Sequence, residues 1–239
     1  MAIKTISYED KTFDIAYDII NHTQSDVIVF LHGWGSNKEL MEQPFKNKLS
    51  NYKHIYIDMP GFGKSSNQYT LTTLQYGDII KQFLLTLNLN PSQLVVVGHS
   101  FGGKVATLLN PKVLILLSSA GIVEEKSIKT LLTIRMAKIF NKFGLGKVTK
   151  LLRSGDVNMM SENMYATFKN VVDEDFSQYF ANYKNKAILF WGEKDTATTL
   201  SSGKTIHNLI KNSLFFSYDD DHYFFLRYAN DISNKIESL

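Results

Sequence analysis

The pentapeptide Gly98-His99-Ser100-Phe101-Gly102 sets a hydroxyl between two glycines, within the longer stretch VVVGHSFGG (95–103). A buried apolar run precedes it and a helix-like segment follows. A serine on a sharp strand-to-helix turn needs glycine two residues to either side, because the flanking backbones approach too closely for a Cβ. Such a turn pushes the Ser100 hydroxyl outward. The new helix then offers its first free N–H, that of Phe101, and a favourable dipole to a developing oxyanion. The chemistry these residues fit is nucleophilic attack on a carbonyl.

A serine hydroxyl is a poor nucleophile at neutral pH, so a histidine base and an orienting carboxylate must accompany it. Both partners are expected after the serine, acid before base. Two histidines follow Ser100. His207, in SGKTIHNLIKN, falls mid-helix by its periodicity and reads as an ordinary helix residue. His222, in SYDDDHYFF (217–225), lies in a loop just past a strand-like run and is the better base. Asp195, in ILFWGEKD, sits just past another buried run and is the chosen acid, with Glu193 its near rival. Asp219, Asp220 and Asp221 are too close to His222 in sequence to meet its ring squarely. Near and ionised, they would favour the imidazolium and raise its pKa.

Other signals in these stretches are weaker. DDDH offers hard oxygen ligands and one imidazole, but no second histidine stands at i+3 or i+4, so no metal is expected. A second oxyanion donor is expected in FLHGWGSN (30–37), where Gly33 and Gly35 leave the Trp34 N–H free to point into the site. His32 reads as a packing residue that holds this loop. GFGKSS (61–66) ends like a phosphate-binding loop, yet a glycine is required five residues before Gly63 and the chain has Asp58 there. A tight glycine turn suffices.

The elements that would position these groups are legible as apolar runs. Alternating stretches near 3–8 and 12–20 read as a strand pair turned at Glu9-Asp10-Lys11. Continuous apolar runs at 26–32, 54–58, 93–98, 112–118, 186–192 and 213–218 read as strands buried on both faces. Helix-length amphipathic segments near 38–49, 71–88, 101–109 and 200–211 lie between them. Strands alternating with helices predict a mostly parallel sheet of eight strands with helices on both faces. Residues 122–184 break the rhythm with helical periodicity. They are expected to form a small cap over the strands' C-terminal edge, where ligands bind in open α/β sheets. The core would then comprise 1–121 and 185–239. Phe140, Phe143, Met159, Met160, Met164, Tyr165 and Phe168 are the candidate substrate-pocket residues of that cap.

Bulk composition narrows the classes further. With 239 residues, 44% hydrophobic and 21% charged, the chain fits an ordinary globular protein. A net charge of +3 is too mild to argue for nucleic acid. The absence of cysteine excludes disulfides, thiolate metal sites and a cysteine nucleophile. The N-terminal stretch carries no signal-peptide core, and the run at 113–123 is too short and polar to span a bilayer. A cytoplasmic location is therefore expected. Residues 126–153 hold eight basic side chains and no acid. A solvated helical face explains this, while attraction of an anionic substrate or a membrane surface is the sharper alternative.

The segments LHGWG, DMPGFGKSS, VVGHSFGG, LSSAGI and WGEKD follow one another in the order and spacing of the α/β-hydrolase superfamily, which this chain resembles along essentially its whole length. The capped, cofactor-free carboxylesterases and the meta-cleavage product (carbon–carbon bond) hydrolases look most similar. The resemblance implies Ser100 as nucleophile, Asp195 as acid, His222 as base, and Trp34 and Phe101 as oxyanion donors. It implies no cofactor and a small ester or related acyl compound as substrate. Some members of the superfamily are ligand receptors that keep the triad without turnover. Two departures stand out: three aspartates replace the usual glycine-rich loop before the histidine, and the helix after the serine is short.

Overall fold

The computed structural model describes residues 1–123 and 160–238. Eight strands form one sheet: β1 (Ala2–Tyr8), β2 (Lys11–Ile20), β3 (Val27–Leu31), β4 (Lys53–Ile57), β5 (Val95–His99), β6 (Val113–Leu117), β7 (Lys186–Gly192) and β8 (Ser213–Tyr218). Among the described residues the α-helices are α1 (Lys38–Phe45), α2 (Thr73–Thr86), α3 (Phe101–Leu108), α4 (Glu162–Val171), α5 (Ser177–Asn182), α6 (Leu200–Leu209) and α7 (Phe225–Glu237). All the expected strands are present. Helix α7 was not among the expected elements.

Strands β3, β5 and β6 are buried at every residue, as a sheet covered on both faces requires. Their side chains alternate between two cores. Val29, Leu31, Val96, Leu114 and Leu116 pack with Ile79 and Phe83 of α2, Val105 of α3 and Ile206 of α6. Ile28, Phe30, Val97, Ile115 and Leu117 pack with Met41 and Phe45 of α1 and with Phe225, Ala229, Ile232 and Ile236 of α7. Each such buried aliphatic or aromatic side chain contributes roughly 1.5–3 kcal/mol.

The strand order is β1-β2-β4-β3-β5-β6-β7-β8. Only the pairs β1–β2 and β2–β4 are antiparallel; the others are parallel. The chain runs from β3 to β4 on one side, then returns to place β5 on the other. That reversal opens a crevice at the C-terminal ends of β3 and β5, the usual ligand position in such sheets. The loop carrying Trp34 and the turn carrying Ser100 both begin there.

Of the expected cap, Phe140, Phe143, Met159 and the basic residues of 126–153 lie outside the described residues. The remainder, α4 and α5, docks on the core. Gly61 has φ +86°, and a Cβ on it would come within 2.4 Å of Met164 Sδ, so α4 seats a thioether in a glycine notch. Leu71 N donates to Thr167 Oγ1 at 3.0 Å, and Asn163 Nδ2 donates to Asn67 O at 3.1 Å. From beneath, Lys104 of α3, with 1% of its side chain exposed, donates to Val171 O at 2.6 Å and Glu174 Oε2 at 3.2 Å. Among the described residues no helix is long and apolar enough to cross a membrane.

Candidate active site

Ser100 joins β5 to α3 with φ 52° and ψ −118°, a conformation that costs a non-glycine residue of order 1–3 kcal/mol. The surroundings hold it there. Ser100 N donates to Leu117 O at 3.1 Å, and Ser100 O accepts from Gly103 N and Ala120 N, both at 3.0 Å. A Cβ on Gly98 would lie 2.4 Å from Gly102 O, and one on Gly102 would lie 2.5 Å from His32 O. The two glycines are therefore demanded by the approach of β5, α3 and the loop after β3. Serine at a helix start commonly caps it with its side chain. Ser100 makes no such bond, which leaves its hydroxyl free of the helix it starts. Phe101, as the first helical residue, has no intrahelical acceptor for its N–H.

The loop after β3 abuts this turn: a Cβ on Gly33 would come within 3.2 Å of Ser100 Cβ. His32 is fully buried and organises the loop, as its packing role predicts. Its Nδ1–H donates to Gly33 O at 2.7 Å, and its Nε2 accepts from Met59 N at 3.1 Å. Burial holds its pKa below the ordinary value, so it stays neutral. The carbonyl of Gly33 and the N–H of Trp34 belong to one planar trans peptide and point in opposite directions. Fixing Gly33 O on His32 therefore aims the Trp34 N–H away from His32. The turn 58–66 braces the loop from outside, with the buried Asp58 carboxylate accepting from Lys38 N at 2.8 Å and Lys64 N at 3.0 Å.

Asp195 lies just past β7 and His222 past β8, and the structure brings them together: Nδ1 of His222 donates to Asp195 Oδ2 at 2.6 Å. Glu193, the rival carboxylate, instead accepts from Ser217 Oγ at 2.7 Å. Asp195 Oδ1 accepts from Ala197 N at 2.8 Å and Thr198 N at 2.9 Å, and Oδ2 accepts from Thr198 Oγ1 at 2.9 Å. Burial alone would raise the Asp195 pKa. The hydrogen bond and charge of His222, the Thr198 N–H and the Ser118 hydroxyl outweigh it and hold the carboxylate at about 2. The group is thus ionised, and its bond fixes the proton of a neutral His222 on Nδ1. Nε2 is left as an acceptor, with no hydrogen bond to Ser100 Oγ or to another of the described residues. Bonds of this kind commonly tighten only with substrate in place. His207 packs elsewhere, its Nδ1 2.8 Å from Ser213 Oγ.

The three aspartates do not converge on the imidazole. Asp219 pairs with Lys194 at 2.7 Å, Asp220 with Arg227 at 3.0 Å, and Asp221 Oδ1 accepts from Tyr223 N at 2.8 Å. Their backbone matters more. A Cβ on Gly192 would meet Asp221 O at 2.1 Å and Asp220 O at 2.7 Å, so the loop carrying His222 lies directly on the end of β7. Among the described residues no group of three or more histidine, aspartate or glutamate side chains is placed to hold a metal ion.

A cleft of about 740 Å³ is lined by Trp34 of the loop after β3 and by Tyr223, which follows His222; Phe62, Met160 and Met164 line it too. Met160 and Met164, two of the expected pocket residues, line this cleft, whose lining does not include Ser100 or His222. Phe168 packs on the Trp34 ring, centroids 5.4 Å apart, whereas Tyr165 is not among the lining residues and carries Lys169 Nζ 4.9 Å over its ring. Phe62, Tyr223, Thr198, Ser118 and His99 border the candidate site and were missed by sequence reasoning. For Thr198 the signal was available, since Asp-x-x-Thr after a strand can fold its hydroxyl back on the acid. A cavity of about 500 Å³ at the opposite edge of the sheet, lined by Asp26, Tyr52 and Lys112, shares no residue with the site.

Residues 28–221 match the model of the alpha/beta hydrolase family. A pimeloyl-[acyl-carrier protein] methyl ester esterase of Shewanella woodyi is 36% identical over 84 residues, covering 35% of this chain and 30% of the relative. The chain thus spans about a third of the length of the first curated relatives it matches. The hydrolase YugF of Bacillus subtilis, whose activity is uncharacterised, is 26% identical over 235 residues, covering 85% of each chain. An esterase from Exiguobacterium antarcticum superposes with TM-score 0.76 at 20% identity, over 98% of this chain and 97% of that one. A thermophilic esterase from Thermogutta terrifontis superposes with TM-score 0.75 at 15% identity, over 100% of this chain and 97% of that one. At such identities the two superpositions speak for the fold alone.

Proposed function

We propose, from the premise that this chain belongs to the alpha/beta hydrolase family, that it hydrolyses small carboxylic esters through Ser100, His222 and Asp195. The observation that carries the reading is the 2.6 Å bond from His222 Nδ1 to an Asp195 carboxylate already ringed by donors. The esterase activity named for its curated relatives agrees with it. In this mechanism Ser100 Oγ attacks the ester carbon and its proton passes to His222 Nε2. The tetrahedral oxyanion is held by the Trp34 and Phe101 N–H groups. His222 returns the proton to the departing alcohol, leaving an acyl-Ser100. Water, deprotonated by His222, then releases the acid and restores the serine. The reading includes a helical cap over residues 122–184, which the seating of Met164 at Gly61 supports.

The test is a panel of p-nitrophenyl esters with Ser100→Ala as control, together with fluorophosphonate labelling. Turnover should fall by about 10³-fold or more in the variant, and the label should map to Ser100. Ligand binding without turnover or labelling in either protein would favour the receptor reading instead.

A further inference from the structure

We propose that His99, the residue before the nucleophile, is a positioning residue for the general base, tying the loop of His222 to the Ser100 turn through its imidazole. This rests on the hydrolase reading above. His99 is the last residue of β5, and its side chain is buried under the loop that carries His222. Its Nε2–H donates to the main-chain carbonyl of His222 at 3.2 Å. The two rings lie 4.6 Å apart, tilted by 49°, and Phe225 closes the far side of the His99 ring with centroids 4.8 Å apart. A Cβ on Gly33 would sit 3.0 Å from His99 Nδ1, so the same ring also abuts the oxyanion loop. One side chain thus touches all three segments of the site: it follows the strand into Ser100, lies beneath Gly33, and holds His222 by its backbone.

The bond defines the tautomer. A carbonyl can only accept, so the His99 proton is on Nε2, and Nδ1 keeps its lone pair with no donor among the described residues. An imidazolium there would be opposed by charge on the His222 and His32 rings and favoured by Asp195. Burial and the neighbouring His222 both press His99 towards neutrality. A neutral ring can hold the base loop without opposing the positive charge that His222 acquires during turnover. An unpartnered acceptor in the core is a poor choice for packing alone. The donor at the opposite ring nitrogen explains why an imidazole stands here rather than a phenyl ring.

Glutamine places its amide N–H close to where Nε2 stands in histidine, whereas phenylalanine keeps the ring and loses the donor. The comparison is therefore His99→Gln against His99→Phe. His99→Phe should lower kcat about tenfold with little change in KM, from loss of one hydrogen bond and the order it imposes. His99→Gln should recover most of that loss. Amide hydrogen exchange at residues 219–223 should accelerate in His99→Phe and not in His99→Gln. Equal activity loss in both variants, with exchange in that loop unchanged, overturns the proposal. Exchange reads the tie without any substrate. If no ester is hydrolysed and Ser100 takes no fluorophosphonate, the hydrolase reading falls while the tie is still decided by exchange.

Discussion

Thr198 turns both its backbone N–H and its hydroxyl onto the carboxylate of Asp195, one to each oxygen and each at 2.9 Å. Ser118 O, 3.0 Å from the same hydroxyl, is a second acceptor for its single proton. Hydrogen bonds to a charged group are worth about 1.5–3 kcal/mol. Thr198→Val keeps the shape and removes one of them. Its kcat on a p-nitrophenyl ester should fall about tenfold, measured beside Asp195→Asn, where the wrong His222 tautomer should cost about 10⁴-fold. Equal activity of Thr198→Val and wild type would show that the hydroxyl does not help to hold the acid.

Acid should weaken the fold in two stages. His32, His54 and His99 have pKa values lowered by burial. Below about 6.5 the unfolded chain therefore binds protons that the folded one refuses, and stability falls with pH. Asp195 behaves differently. Its folded value of about 2 lies below the unfolded 3.8, so its contribution is complete above pH 3.8 and disappears as pH falls towards 2. Urea midpoints measured from pH 8 down to pH 3 should decline first near pH 6.5 and again near the carboxylate range. A flat profile between pH 7 and 5 would contradict the neutral state assigned to the buried histidines.

Gly192→Ala should impair the base without touching it. The new methyl would press on the carbonyls of Asp220 and Asp221 and displace the loop that presents His222. Overpacking of this sort costs about 1–3 kcal/mol. The thermal midpoint and kcat should both fall, and Ser100 labelling by fluorophosphonate should slow. Unchanged labelling would mean that the loop can shift without moving the imidazole.

At the base of α4, Glu174 balances the buried ammonium of Lys104 and also accepts from Thr73 Oγ1. Glu174→Ala strands that charge and should destabilise by about 3 kcal/mol, the low end for broken buried pairs because 27% of the Glu174 side chain is exposed. Lys104→Met replaces the ammonium with an apolar chain of similar length and should cost less, about 1 kcal/mol. Chemical denaturation of both variants gives the order. The reverse order would show that the contact with Val171 O outweighs the charge.

The sheet was legible because burial on both faces forces unbroken apolar runs, as in VIVFL and VLILL. The placement of Ser100, Asp195 and His222 at one edge of the sheet was legible for a related reason: each lies just past the end of such a run, where the chain must turn. Helix α7 was hidden by YFFLRY, whose aromatics read like the end of a strand. Its true pattern is the spacing of Phe225, Ala229, Ile232 and Ile236 on one face. The partners of the three aspartates were beyond reach, because pairing with Lys194 and Arg227 depends on how two loops fold over Gly192. His99 was read only as the variable letter of its pentapeptide. Its bond to the carbonyl of residue 222 joins positions 123 apart in the chain.

The donors around Asp195 come from the turn immediately after it, in the same short segment that leads into α6. Their dipoles are oriented when that turn folds, before any ligand arrives. They hold the Asp195 carboxylate ionised and in place, so a positive charge appearing on the His222 ring would meet a fixed negative partner. Water would have to rotate to supply the same stabilisation, whereas these groups are covalently anchored and need no rearrangement. In the proposed mechanism, the reorganisation free energy that solvent would impose on proton transfer would therefore be largely absent on this side of the imidazole.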